Sequence, residues 1–460
     1  MRLKDADMDS PRLLKEIIIY SIPLIFINLI QNVFNSVDMV MLNAFDPSAV
    51  SSVGATSSII HVLVNTFFGV ATGVKVVLSH QMGAHDEKKV KSTVSTALIT
   101  SFLMGIFLGI VGISLAKTFL IATKCPSDSF DGAFLYLRIY LLGVPAMMLY
   151  NFASAIITTA GDTRRPLYYM IISGGLNVVL NYILLLILPQ KVMAVAISTT
   201  VSQAVGALLA VRRVFRLDGI CGVKLRNMKW SFESFRKIMS NGLPIAFANG
   251  LLPLSNLQIQ SSINELGSAV VAGTSAGSSI ETIVSSLGPS AASGSVSVFV
   301  GYNLGARRYD RVKKSILYCL VLGIGMTAFA TVVTLLLKNQ IASLYVSEEL
   351  AKQAAMVRMK TNVTFYVIAC CNSVLSHTIQ SFGYSVISTV NSILSVLVFR
   401  VFWMSFIYPP HRVLDAPIDS LFWICSCWPV SWMLLLIANV VITLYLYHRK
   451  LKKGKLRKLT

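Results

Sequence analysis

Acidic residues are scarce in this sequence: 20 Asp and Glu stand against 40 Lys and Arg in 460 residues. Charged residues of both signs reach only 13%, about half the share of an ordinary soluble domain. That scarcity excludes a soluble globular fold. The seven cysteines (Cys125, Cys221, Cys319, Cys370, Cys371, Cys425 and Cys427) are odd in number and form no CxxC pair, so they read as reduced packing residues rather than a disulfide framework or a zinc motif. The six histidines show no HExxH or clustered ligand spacing, and no GxxxxGK[ST] loop occurs. Metal chemistry and ATP hydrolysis therefore lack their motifs, no cofactor is called for, and the clustered acids or histidines of an integral-membrane enzyme are missing.

What the chain has instead is apolar length. Hydrophobic residues make up 55% and the mean hydropathy is +0.69. A spanning helix needs about 20 predominantly apolar residues, and about twelve such stretches occur: 17–45, 52–80, 93–121, 133–160, 168–188, 192–211, 238–265, 270–302, 316–345, 353–382, 387–408 and 421–447. This predicts an all-α integral membrane protein with about twelve transmembrane helices. Several runs exceed the minimum, so tilts and kinks are expected. The first run is too long for a cleavable signal peptide and has no small-residue cleavage site.

The net charge of +20 would point to nucleic acid in a soluble chain, and here its placement argues otherwise. Arg2 to Lys15, Lys88/Lys89/Lys91, Arg164/Arg165, the stretch Arg212–Lys237, Arg307–Lys314 and the tail "HRKLKKGKLRKLT" hold 29 of the 40 basic residues. All fall on one side of the membrane if the helices alternate, which is the positive-inside pattern. Both termini are expected in the cytoplasm of a multi-pass cell-membrane protein, with the charges orienting helices and meeting membrane lipids and no nucleic acid as a partner.

The chain also repeats itself. "SIPLIFINLIQNVFNSV" at 21–37 lies over "GLPIAFANGLLPLSNLQ" at 242–258 with a shift of 221, "QMGAHDEKKVKS" at 81–92 lies over "NLGARRYDRVKK" at 303–314 with a shift of 222, and Gly161 lies over Gly383. This predicts two pseudo-symmetric six-helix bundles: an N-terminal lobe 1–211, a basic linker 212–237 and a C-terminal lobe 238–460 with a basic tail. Six helices per repeat keep both copies in one orientation, so the axis relating them runs along the membrane normal. Two such lobes in a monomer suit alternating access by rocking.

Inside the first apolar run, Asn28, Gln31, Asn35 and Asp38 recur in steps of 3, 4 and 3. That spacing puts four polar groups on one helix face, which must look into protein or a cavity because lipid offers no partners. An ionised Asp at the bilayer centre costs about 2.5–3.5 kcal/mol on insertion scales. Asp38 must therefore hold a proton, pair with a cation or sit in water; a neutral Asp bridging two helices is the structural alternative. Asn177 and Asn181, four apart, offer carbonyl oxygens that suit Na+ as well as they suit interhelical hydrogen bonds. Pro23, fifteen residues before Asp38, removes a helix hydrogen bond and gives the first helix a place to bend.

"IPLIFINLIQNVFNSVDMVML", "AVSSVGATSSI", "GVATGVKVVLSHQMGAHD", "TTAGDTRRPLYYMIISGGLNVVLNYIL", "NGLPIAFANG" and "VFVGYNLGARRYDRVKKS" together resemble the multidrug and toxic compound extrusion (MATE) family over nearly the whole chain. The resemblance implies twelve helices in two lobes and export of small organic compounds, cationic or amphipathic, against inward H+ or Na+. It also implies a cation site in the N-terminal lobe at Asp38, with Asn177, Asn181 and Thr199 as neighbours and Pro23 as the bend; no metal beyond possible Na+ is implied. Many relatives with such a site carry Asp where this chain has Asn181, a departure that favours a proton.

The second half departs more. A carboxylate on the seventh span would fall near Leu252, yet no acid occurs there before Glu265, and the tenth span offers Asn372 and His377 without an acid. No C-lobe cation site is expected. His377 reads as an interhelical partner, Lys75 as snorkelling toward the cytoplasmic Gln81, and Arg400, nearer mid-helix, as structural. Met147, Met148, Tyr150 and Phe152 read as packing. A lipid-linked oligosaccharide flippase of the same broader superfamily is the alternative function.

Overall fold

The computed structural model describes residues 7–123, 125–413 and 416–456, with the side chains of 35, 48 and 450–456 outside the description. Asn35 of the polar stripe, Arg2, Lys4 and most of the basic tail thus lie outside the described side chains.

Apolar backbone in a membrane must satisfy its own N–H and C=O groups, and the described residues comply with helices and no strand. The long helices are α1 (Leu13–Phe45), α2 (Pro47–Gly83), α3 (Glu87–Ala122), α6 (Arg164–Ile187), α7 (Lys191–Val214), α10 (Ser268–Gly305), α11 (Tyr309–Leu336) and α17 (Pro417–Leu456). Between them lie α4 (Phe130–Leu142), α5 (Val144–Thr159), α8 (Phe232–Leu251), α9 (Leu254–Asn264), α12 (Lys338–Tyr345), α13 (Glu349–Asn362), α14 (Tyr366–Ser381), α15 (Ser385–Ser392) and α16 (Phe399–Phe402).

Among the described residues nine helical stretches are long and apolar enough to cross a membrane alone, and α4 with α5, bent by 47°, makes a tenth. The two remaining predicted spans are the broken pairs α8–α9 and α13–α14. The first breaks at Leu252–Pro253, where Pro253 cannot donate to the preceding turn, and the second at a 3₁₀ turn, Val363–Phe365.

The internal repeat reappears as backbone irregularity. His85 and Arg307 both take positive φ, 54° and 56°, at the end of α2 and of α10, and Gly161 and Gly383 take 97° and 86°. Each pair is 222 residues apart. A positive φ is uncommon for His or Arg, so its recurrence at one offset marks two copies of one chain path. Pro23 inside α1 and Pro244 inside α8 are 221 apart.

Two compact units result. One comprises residues 26–246 and the other residues 8–25 with 247 onward, so the chain passes between them just after Pro23 and just after Pro244. The basic stretch 212–237 belongs to the first unit and is docked on α3: Trp230 Nε1 donates to Thr100 Oγ1 at 3.3 Å, and the Ser231 amide to Thr96 Oγ1 at 3.0 Å. The second unit anchors the start of the chain. Asp9 pairs with Arg308 and accepts from Tyr302 Oη at 2.9 Å, while Arg311 Nη2 donates to the Met8 and Ser10 carbonyls at 3.0 and 2.9 Å.

Candidate functional site

In the first unit α1 meets α6 through a glycine. Phe34 lies over Gly174 so closely that a Cβ there would sit 2.0 Å from the ring. One turn further along both helices, the same register brings Asp38 to Asn177 and Asn181. Asn181 Nδ2 donates to Asp38 Oδ1 at 2.7 Å. Its own oxygen accepts from Ser198 Oγ of α7 at 2.9 Å, which fixes the amide with its NH2 toward the carboxylate.

Asn177 reaches the same carboxylate in either of two orientations. With the nitrogen inward, it lies 2.7 Å from Oδ1 and 3.2 Å from Oδ2 of Asp38; with the oxygen inward, the nitrogen donates to Thr199 Oγ1 at 3.4 Å. The first orientation satisfies an ionised Asp38. The second sets two oxygens against each other and so needs a proton or a cation between them. Among the described residues no Lys, Arg or His pairs with Asp38.

The four residues expected around the carboxylate, Asp38, Asn177, Asn181 and Thr199, are thus together. The rest of the stripe is not part of the cluster: Asn28 is half-buried and Gln31 exposed, and Asn35 lies outside the described side chains. Pro23 is buried within an unbroken α1. Ser198 is the member sequence reasoning missed; the run Ser198–Thr199–Thr200 was its one signal.

The second unit does hold a buried acid, on α10 rather than on the seventh or tenth predicted span. Glu281 is buried there and held in a two-pronged pair by Arg358 of α13, with Nε to Oε1 and Nη2 to Oε2 both at 3.0 Å. Asn362 Nδ2 adds a bond to Oε1 at 2.8 Å. Three donors meet this carboxylate, and the guanidinium supplies its counter-charge. Asn372 donates to the Trp432 carbonyl at 2.7 Å and accepts from Asn439 at 3.3 Å, which makes it interhelical glue, and His377 bonds within its own helix to the Ser373 carbonyl at 2.8 Å.

Lys75 does not run toward Gln81. Its Nζ stands over the Phe68 ring, 5.7 Å from the centroid, seven residues back along α2, because side chains on a helix lean toward its N-terminus. Met148 and Phe152 are core residues, and all seven cysteines are free.

Two copies of one path, built among the described residues from helices long and apolar enough to cross a membrane, define a polytopic membrane protein with an internal repeat. The MatE family model matches residues 23–183 and again 244–404. The chain belongs to the MatE family, whose members are transporters rather than enzymes. It is 24% identical to the probable multidrug resistance protein YoeA of Bacillus subtilis (strain 168), over 84% of this chain and 85% of that one. Its fold is similar to a MATE crystal structure in the bent conformation, at a TM-score of 0.85 and 20% identity, covering 98% of this chain and 99% of that one. A second similar structure, with a TM-score of 0.85, 19% identity and 98% of both chains covered, is a MOP superfamily transporter from Pyrococcus furiosus described as having a binding pocket of reverse polarity.

Proposed function

We propose that the chain is a cation-coupled antiporter that exports amphipathic and cationic organic compounds across the cell membrane, with both termini cytoplasmic and a single chain as the working unit. The observation that carries this reading is Asp38, a carboxylate in a membrane-spanning helix whose partners are amides and no cation. Such a group changes the free energy of closing the protein around it according to what it holds. Ionised, it is served by two amide nitrogens and draws water or an ion. Protonated, it donates to the Asn177 oxygen, that amide turns its nitrogen to Thr199, and dry side chains can close over a neutral site.

The coupling ion follows from the donor set. Na+ wants several oxygens at once, and Asn181 has committed its oxygen to Ser198 while presenting nitrogen. One carboxylate, the Asn177 oxygen and the Thr199 hydroxyl remain, a thin shell for Na+ and sufficient for H+. The proton is the favoured ion. One cation entering per neutral substrate at 100 mV supplies about 2.3 kcal/mol, a gradient of roughly 50-fold. The named relatives argue for small organic substrates over a lipid-linked oligosaccharide.

The test is dye transport in proteoliposomes under independently imposed pH and Na+ gradients. A response to the pH gradient at fixed Na+ supports the reading. A response to Na+ alone overturns the choice of ion, and transport indifferent to both overturns coupling.

A further inference from the structure

The second unit buries more positive charge than it neutralises. Arg358 is spent on Glu281, but Arg400, 5% exposed, has no carboxylate within 4.0 Å among the described residues. Its Nε donates to Ser431 Oγ at 3.2 Å and its Nη1 to Asn256 Oδ1 at 3.3 Å, and its guanidinium stands 5.7 Å from the centroid of Trp428. Two of five N–H groups are therefore used, on neutral oxygens. A guanidinium cannot shed its proton, and a charged side chain within a membrane span is costly unless an anion or a watered cavity meets it. Glu281, the buried acid of this unit, is already paired with Arg358 and bonded by Asn362.

Two further features make this a built place. Arg400 sits in a four-residue α-helical piece between two π-helical turns, Ile393–Val398 and Trp403–Ile407. π turns are well under 1% of residues and re-aim side chains at functional positions. Asn256 on α9, which accepts from the guanidinium, is itself exposed, as are its neighbours Leu254 at 46% and Leu257 at 61%. An oxyanion beside apolar surface is the signature of an amphipathic acid.

We propose that Arg400 receives the carboxylate or phosphate group of an amphipathic transport substrate, seated on α9 beside Asn256 with Trp428 bracing the guanidinium. This rests on the transport reading above and names a substrate class for it. The ordinary alternative is that Arg400 only ties α9 to α17. The same oxyanion chemistry could come from a lipid headgroup.

The test is equilibrium binding by fluorescence polarisation to purified full-length protein in neutral detergent, without a membrane or gradient. It compares fluorescein, which carries a carboxylate, with rhodamine 123, a cation on the same xanthene scaffold. Because no coupling enters, a failure of ion coupling and a failure of this site remain distinguishable. Arg400→Gln should lower the fluorescein-to-rhodamine affinity ratio at least tenfold. Asn256→Asp, which supplies an internal carboxylate at Arg400 and keeps the packing, should do the same while raising the melting temperature. That second variant keeps the proposal falsifiable if the first does not fold. A wild-type protein that fails to bind fluorescein, or an Asn256→Asp protein with the wild-type ratio, overturns the site. Abolition of fluorescein binding by added phosphatidylglycerol would assign the guanidinium to a headgroup and overturn the substrate claim; binding within threefold with that lipid present supports it.

Discussion

Each unit of this transporter carries an acid inside a long apolar helix, Asp38 half-buried in α1 and Glu281 buried in α10, and the two are treated in opposite ways. Glu281 in the second unit is clamped by a two-pronged arginine and an amide, whereas Asp38 in the first is met by amides alone. A carboxylate clamped by a guanidinium has its counter-charge built in, so it contributes architecture. One without a resident cation is the place where the proposed function puts the coupling ion. The difference teaches that two copies of one chain path need not use their acids alike: what meets the carboxylate separates them, and the proposed coupling rests on the copy that has no resident cation.

Breaking the clamp should have the largest effect. Arg358→Ala leaves Glu281 buried without its counter-charge, a defect of about 3–5 kcal/mol, and thermal unfolding in detergent should show a strong loss that Glu281→Gln with Arg358→Met largely restores. Asp38→Asn, measured the same way, should lose little stability. Next in size is Asn181→Asp, which adds a second carboxylate beside Asp38; transport should gain dependence on Na+, read as the change in rate on replacing Na+ by choline at fixed pH. Ser198→Ala frees the Asn181 oxygen and leaves a buried acceptor unpaired at about 1–3 kcal/mol, so the apparent affinity for the coupling ion should move by about tenfold. The smallest effects belong to Asn372→Ala and His377→Ala. Asn372 ties its helix to the Trp432 carbonyl and His377 bonds to the Ser373 carbonyl of its own helix, and each change should reduce transport less than tenfold.

Much of this was legible in the residues. The steps from Asn28 to Asp38 drew attention to the carboxylate, although Asn28 and Gln31 take no part in its cluster, and the shifts of 221 and 222 residues announced two copies, which the paired positive-φ residues His85 and Arg307 bear out. Asn177, Asn181 and Thr199 came from the family resemblance, since an asparagine pair at helical spacing is equally good as glue. Ser198 was illegible because a serine in an apolar helix ordinarily bonds back to its own backbone, and this one does so too, to Val195 at 2.9 Å. The Glu281–Arg358 pair spans 77 residues; nothing local in either helix says which ion meets which. The π turns around Arg400 carry no residue signature at all.

The central claim is that Asp38 alone exchanges the coupling ion. The direct measurement is proton release, followed with a pH indicator, when dye is added to purified protein in weakly buffered detergent solution, for wild type, Asp38→Asn and the Glu281→Gln/Arg358→Met pair. The account predicts release from wild type and from the paired variant at similar stoichiometry, and none from Asp38→Asn. Release that persists in folded Asp38→Asn protein, or that vanishes only when the second-unit pair is changed, would contradict it.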